Sequence, residues 1–172
     1  MITYILAAIT GALILLADQF TKLYVQSHFE MAKSYEFLPG LIDITYIHND
    51  GGAWGMLGGY TWLLLSVTIV VMLVCIALLL KYGAKDKLMF WAIILVLSGG
   101  IGNMIDRIFR GGKVIDFLHF EFWPTFPVFN VADCAIVIGA ALLILYFFKG
   151  IIDEEKQKRA AVVEVTQKDE NV

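Results

Sequence analysis

The sequence predicts an α-helical membrane protein, with four transmembrane helices and a small extracytoplasmic β element. Three observations predict it. The 172 residues are 59% hydrophobic and only 17% charged, with a mean hydropathy of +0.76; soluble domains are about 45–50% apolar and about 25% charged. Four apolar runs reach the roughly 17–25 residues that a helix needs to cross hydrocarbon. Two connections between them are long, aromatic and partly alternating, as short strands are.

The first run is Ile2–Phe20. No basic flank precedes it and no small-residue cleavage site follows, so a retained anchor is expected. The connection Lys22–Gly59 holds a Pro39-Gly40 turn, then Leu41–Ile47, rich in β-branched and aromatic residues, which predicts a strand. The second run is Tyr60–Leu80, and the third is Leu88–Ile105, which turns small and polar at Ser98, Gly99, Gly100, Gly102 and Asn103. Val114–Trp123 predicts another strand, ended by Pro124. The fourth run is Val128–Phe148, with a stop expected at Lys149-Gly150. Residues 1–150 then form one four-helix domain, and residues 151–172 a charged, solvated and partly disordered cytoplasmic tail.

The Lys81–Lys87 loop is short and basic. Placing it and the tail inside puts eight Lys and Arg on the cytoplasmic side against five outside; the positive-inside rule favours that orientation, with both termini cytoplasmic. The aromatic residues of the two long connections, Trp54, Trp62 and Phe117 to Phe129 among them, read as an interfacial belt.

Composition excludes other classes. The net charge of −3, with no basic patch or stacking motif, argues against nucleic acid. Cys75 and Cys134 fall inside spans and read as small apolar residues. His28, His48 and His119 lack metal-site spacing, so neither metal nor cofactor is expected.

The unusual polar residues collect on one side. Asp18, Lys22, Asn49, Asn103, Asp106, Arg107, Asp116, Asn130 and Asp133 all fall at the outer ends of helices or in outer loops. Transporters place acids near the bilayer midplane on broken helices. Acids near one interface favour chemistry on a membrane-held substrate instead, with a small ion or proton transporter as the alternative and a non-catalytic scaffold as a third reading.

No Ser or Cys in this set stands beside a nameable base, so carboxylates carry the chemistry. Phe129-Asn130-Val131-Ala132-Asp133 opens the fourth helix. Asn130 and Asp133 fit an N-cap and its N3 partner, which needs no chemistry. An acid at bilayer depth costs roughly 2.5–3.5 kcal/mol on insertion scales, which points to function. Asp116, reached through Val114-Ile115, supplies a second acid. Two such carboxyls about 3 Å apart cannot both ionise and share one proton. The ionised acid then activates water and the protonated one polarises a carbonyl, as metal-free amide hydrolysis requires. A first-turn position favours the anion at Asp133 by about 0.3–1 kcal/mol.

Supporting roles remain open between structure and site. Asp106-Arg107 reads as a structural ion pair or a tether to Asp18. Asp18 and Lys22 form an i,i+4 pair, worth only about 0.2–0.5 kcal/mol if exposed. Asn49 heads the glycine-rich turn Asn49–Gly55. Asn103 and Asn130 either cap helices or hold an acid or a substrate carbonyl.

These motifs resemble, in order, the lipoprotein signal peptidases (signal peptidase II), membrane aspartic proteases of bacteria. The blocks are Asp18-Gln19-Phe20-Thr21-Lys22, Asn49–Gly55, Gly99–Arg107, Gly112–Phe117 and Phe129–Asp133. Gly52 and Trp54 depart from the family's commonest residues, and Ile108–Gly112 is one residue longer than usual. The resemblance implies a four-helix bundle in the bacterial plasma membrane, with an outer β element that cradles substrate. Asp116 and Asp133 would be catalytic. Asn49, Asn103, Arg107 and Asn130 would contact substrate or orient the dyad, with Asp18 and Lys22 in support. The implied partners are membrane lipid and a lipid-modified prolipoprotein, cut just before its diacylglyceryl cysteine. A monomer would suffice.

Overall fold

The computed structural model describes residues 1–52, 56–83 and 85–170, with side chains through residue 159. Its elements are α1 (Ile2–His28), β1 (Ser34–Leu38), β2 (Ile42–Asn49), α2 (Thr61–Tyr82), α3 (Lys87–Phe109), β3 (Val114–Phe120) and α4 (Val131–Glu170). Four helices among the described residues are long and apolar enough to cross a membrane, α4 through its part Val131–Arg159. The protein is a four-span membrane protein with a three-stranded antiparallel sheet of order β1-β2-β3.

α3 is the central helix. Of its apolar window 56% is buried, against 6–17% for the other three. Its composition explains this. A Cβ on Gly99 would overlap the Ala132 carbonyl of α4, and one on Gly139 of α4 would lie 2.7 Å from the Ala92 carbonyl of α3. Small residues of this kind let membrane helices pack backbone to backbone. The start of α3 is set by Asp86, whose side chain accepts the Met89 N–H at 3.0 Å. α2 buries little beyond Leu65 and Cys75, and its Trp62 and Leu80 are both 83% exposed. A surface so apolar suits hydrocarbon, not water.

Several boundaries differ from the sequence expectation, for reasons that lie in packing. α1 runs past Phe20 to His28 because Lys22 and Val25 are buried in the turns beyond. Val25 packs with Ile44, Tyr46, Ile115 and Phe117 in the core that ties the sheet to this helix. α3 continues past Ile105 because the Asp106 carboxylate is fully buried at its end. α4 starts at Val131, not Val128, because Phe129 remains extended and bridges Leu118 of β3. The helix then passes through Lys149-Gly150 to Glu170, where a stop and partial disorder were expected. A single helical glycine costs only about 1 kcal/mol, and the residues after it are good helix formers, with Lys158 paired to Glu154 at 2.7 Å.

β1 was not expected; it pairs Ser34 with Thr45 and Tyr35 with Ile44. β2 and β3 fall where expected, and their register sets Ile47 opposite Asp116 and Asn49 opposite Val114. Ala53, Trp54 and Gly55 of the glycine-rich turn lie outside the described residues. Cys75 and Cys134 are both free.

Candidate active site

The sheet, the C-terminal end of α3 and the N-terminal part of α4 meet around a cavity of about 520 Å³. Asn49, Asn103, Arg107, Asp116 and Asp133 line it, together with an apolar wall that includes Phe126, Phe129, Val137 and Ile138. Five of the polar residues singled out in the sequence therefore share one space.

Asp133 is held by the start of α4. Its backbone N–H donates to Asn130 Oδ1 at 2.9 Å. Its Oδ2 accepts the Asn130 backbone N–H at 3.1 Å. This is a capping box, and it occupies only one carboxylate oxygen. The other, Oδ1, accepts from Asn103 Nδ2 at 2.7 Å. The capping reading is therefore realised, and the same residue also lines the cavity.

Asp116 is held by the sheet and is 1% exposed. Asn49 Nδ2 donates to its Oδ2 at 2.7 Å, and Asn130 Nδ2 donates to its Oδ1 at 2.6 Å. Burial, with the charge of Asp133 adding to it, pushes the Asp116 carboxyl up to about 7. The two asparagine donors oppose that rise without cancelling it. The Asn130 side chain reaches both residues, donating to the Asp116 carboxyl through Nδ2 and accepting the Asp133 backbone N–H at Oδ1.

Behind the cavity lies a fully buried ionic cluster. Lys22 Nζ sits 2.9 Å from Asp18 Oδ2 and 3.0 Å from Asp106 Oδ2. It also donates to Asn103 Oδ1 at 3.0 Å. The Asp18–Lys22 pair is therefore not the exposed helix-surface pair whose worth is small. Removing one partner of a buried pair costs about 3–5 kcal/mol.

Asp106 and Arg107 do not pair with each other, which corrects the ion-pair reading. Residues i and i+1 of a helix do not face one another. Asp106 turns inward to Lys22 and also meets Arg110 Nε at 3.4 Å. Arg107 turns into the cavity, where its Nη1 donates to the Asn103 carbonyl at 3.4 Å. Its Nε is buried with no hydrogen-bond partner. Asn49 does head a turn, since its Oδ1 accepts the Gly51 N–H at 3.0 Å.

Sequence reasoning missed Gln19 and Gly102. Gln19 Nε2 reaches Asp18 at 3.0 Å and Asp106 at 3.1 Å. A Cβ on Gly102 would lie 2.7 Å from Asp18 Oδ2. Their signal was present in the first and third motif blocks, but neither residue type advertises chemistry. Among the described residues, no three His, Cys, Asp or Glu are grouped to hold a metal ion.

The arrangement supplies one acid whose carboxyl is pushed up to about 7, a second acid on the same cavity, and amide donors to both. That is the equipment for activating water against a carbonyl.

Comparison with known proteins agrees in kind. The family model described as signal peptidase (SPase) II matches residues 10–149. The chain is 40% identical over 160 residues to a lipoprotein signal peptidase of Halalkalibacterium halodurans, covering 92% of this chain and 97% of that one. It is 41% identical over 160 residues to one from Syntrophus aciditrophicus, covering 90% and 96%, and 40% identical over 144 residues to one from Bacillus pumilus, covering 83% and 90%. Two solved chains described as a bacterial membrane enzyme superpose with TM-scores of 0.74 and 0.75, at 30% and 31% identity. Each covers 83% of this chain, which spans 87% and 92% of theirs.

Proposed function

The chain belongs to the signal peptidase II family, and from that premise we propose that it removes the signal peptide of diacylglyceryl-modified prolipoproteins, with Asp116 and Asp133 as an aspartic dyad. The observation that carries the dyad is the shared Asn130, whose side-chain amide donates to the Asp116 carboxyl and whose backbone N–H donates to the Asp133 carboxyl, with the Asp116 carboxyl pushed up to about 7.

At neutral pH the pair holds one proton, resident on Asp116. Asp133, at a helix N-terminus and facing the Asn103 amide, is the base. It takes a proton from water as the oxygen attacks the scissile carbonyl, and Asp116 gives its proton to the carbonyl oxygen. The tetrahedral intermediate then collapses. Its C–N bond breaks, the proton on Asp133 passes to the leaving amine, and the hydroxyl proton returns to Asp116. Water ends divided between the new carboxyl and the new amine, and the dyad is restored.

Cleavage falls just before the lipid-bearing cysteine. The apolar wall of Phe126, Phe129, Val137 and Ile138 suits acyl chains and the signal helix. Arg107 offers its buried Nε donor to the peptide backbone. The eight-to-five distribution of Lys and Arg favours cytoplasmic termini, with the site near the extracytoplasmic face. Residues 1–150 act as one peptidase unit among membrane lipids, and a monomer holds every residue the reaction needs.

The test uses purified protein with a lipid-modified precursor and its unmodified form. The modified precursor is expected to yield a product starting at the lipidated cysteine. Asp116→Asn and Asp133→Asn are each expected to abolish it while inserting normally. Wild-type rates in either variant would remove that acid from the mechanism. Acid-dependent ion flux in liposomes with no cleavage would favour a transporter.

A further inference from the structure

The residues just ahead of the two aspartates are tied to a common point. The Ala132 N–H, next to Asp133, donates to Asp18 Oδ1 at 2.9 Å. The Ile115 N–H, next to Asp116, donates to Asp106 Oδ2 at 3.1 Å. Both carboxylates are bound by one ammonium, Lys22 Nζ, at 2.9 and 3.0 Å. Its third contact, Asn103 Oδ1 at 3.0 Å, fixes which end of that amide faces inward. With the oxygen turned to the cation, Nδ2 is left to face Asp133, as it does at 2.7 Å.

We propose that Lys22 is a positioning residue of the dyad: its ammonium joins α1, α3, β3 and α4 so that the two aspartates are held at a fixed mutual setting. The proposal rests on the proteolytic reading above and deepens it. Lys22 makes no hydrogen bond or ion pair to either acid and does not line the cavity; its contacts reach them through Asp18, Asp106 and Asn103. The cluster is wholly buried, with all three charges 0% exposed. Gln19 and Arg110 complete the partners of Asp106. A buried ion pair is weak evidence for stability alone, and its best-attested use is to specify register. Here the register specified is that of a β-strand against a helix N-terminus, each delivering one acid.

Two variants separate positioning from charge balance. Lys22→Met removes the ammonium and leaves two buried carboxylates. The triple variant Lys22→Met, Asp18→Asn, Asp106→Asn removes the imbalance, yet keeps side-chain oxygens for the Ala132 and Ile115 N–H groups. Both are assayed on the lipid-modified precursor, with folded protein counted by monodisperse elution and thermal midpoint. A misplacement of 1 Å costs about 10²-fold in rate. The triple variant is therefore expected to fold and to lose kcat on the order of 100-fold, with KM held within about twofold, and Lys22→Met to lose at least as much in whatever fraction folds. Wild-type kcat in the triple variant would reduce Lys22 to charge balance and overturn the proposal. A wild-type chain that cleaves nothing would instead count against the proteolytic reading, so the two failures are distinct.

Discussion

Asn130 and Asp133 bind each other twice, backbone to side chain in both directions, at 2.9 and 3.1 Å. The same Asn130 then spends its amide nitrogen on Asp116. Cap and bridge can be separated. Asn130→Ser keeps a good N-cap oxygen but loses the amide donor to Asp116, Asn103 and the Ile115 carbonyl in a fully buried site, so a stability loss of about 1–3 kcal/mol is expected. Activity is expected to fall at least about tenfold, through the loss of one buried hydrogen bond to the dyad. Asn130→Ala loses both, at a further cost of about 1 kcal/mol in stability. Thermal midpoints and kcat on the same preparations decide it. Equal activity in Asn130→Ser and wild type would show that the bridge to Asp116 is idle.

The raised Asp116 carboxyl makes stability depend on pH in a definite direction. It sits at about 7 in the folded chain against 3.8 unperturbed. Between those values the folded state binds the proton more tightly than the unfolded one. Stability is therefore fully retained below about 4 and is lost as pH rises towards 7, by a total on the order of a few kcal/mol. Activity should show an alkaline limb near 7, where the proton-donating form of Asp116 disappears. In thermal melts from pH 5 to 8, wild type should lose more stability than Asp116→Asn, in which no carboxyl titrates there. Parallel curves would place the proton elsewhere.

What the sequence made legible followed from pattern and from motif. The four spans could be read from apolar length, and Asp116, Asp133, Asn49, Asn103 and Asn130 all stand at or beside the cavity. Boundaries were harder, because a hydropathy run ends where charge begins, whereas α1 continues so as to bury its charge at Lys22. Arg107 and Asp106 are adjacent in the chain and opposite in role, a distinction that helical phase makes visible only once the packed face is known. Gln19 was invisible for another reason. Its partners Asp106 and Gly102 are more than eighty positions away, and nothing local marks a glutamine as a clamp.

The glycines of α3 offer a paired test. A Cβ at Gly102 would lie 2.7 Å from Asp18 Oδ2 and 3.2 Å from Ala132 Cβ, whereas one at Gly100 would meet nothing nearer than Met72 at 3.7 Å. Gly102→Ala is expected to cost about 1–3 kcal/mol by overpacking, and to lower kcat by moving Asp18 off the Ala132 N–H. Gly100→Ala is expected to be neutral or to stabilise by up to about 1 kcal/mol, the helical gain of alanine over glycine. Thermal midpoints of the two variants side by side, with kcat for each, make the comparison; a reversed order would show that the α3–α4 seam can shift to admit a methyl group at Gly102.

Arg107 holds a buried Nε with no hydrogen-bond partner and lines the cavity that also holds Asp116 and Asp133. An unsatisfied buried donor costs about 1–3 kcal/mol. A substrate carbonyl would satisfy it. Arg107→Met removes the orphaned donor and retains an unbranched side chain, and is expected to leave the thermal midpoint unchanged or higher. KM for the lipid-modified precursor is expected to rise about tenfold or more, since a lost hydrogen bond to a charged group is worth about 1.5–3 kcal/mol. Arg107→Lys, which keeps the charge but not the planar fork, should recover only part of the loss. A lowered midpoint with KM unchanged would instead make Arg107 a structural residue, joined to α3 through the Asn103 carbonyl.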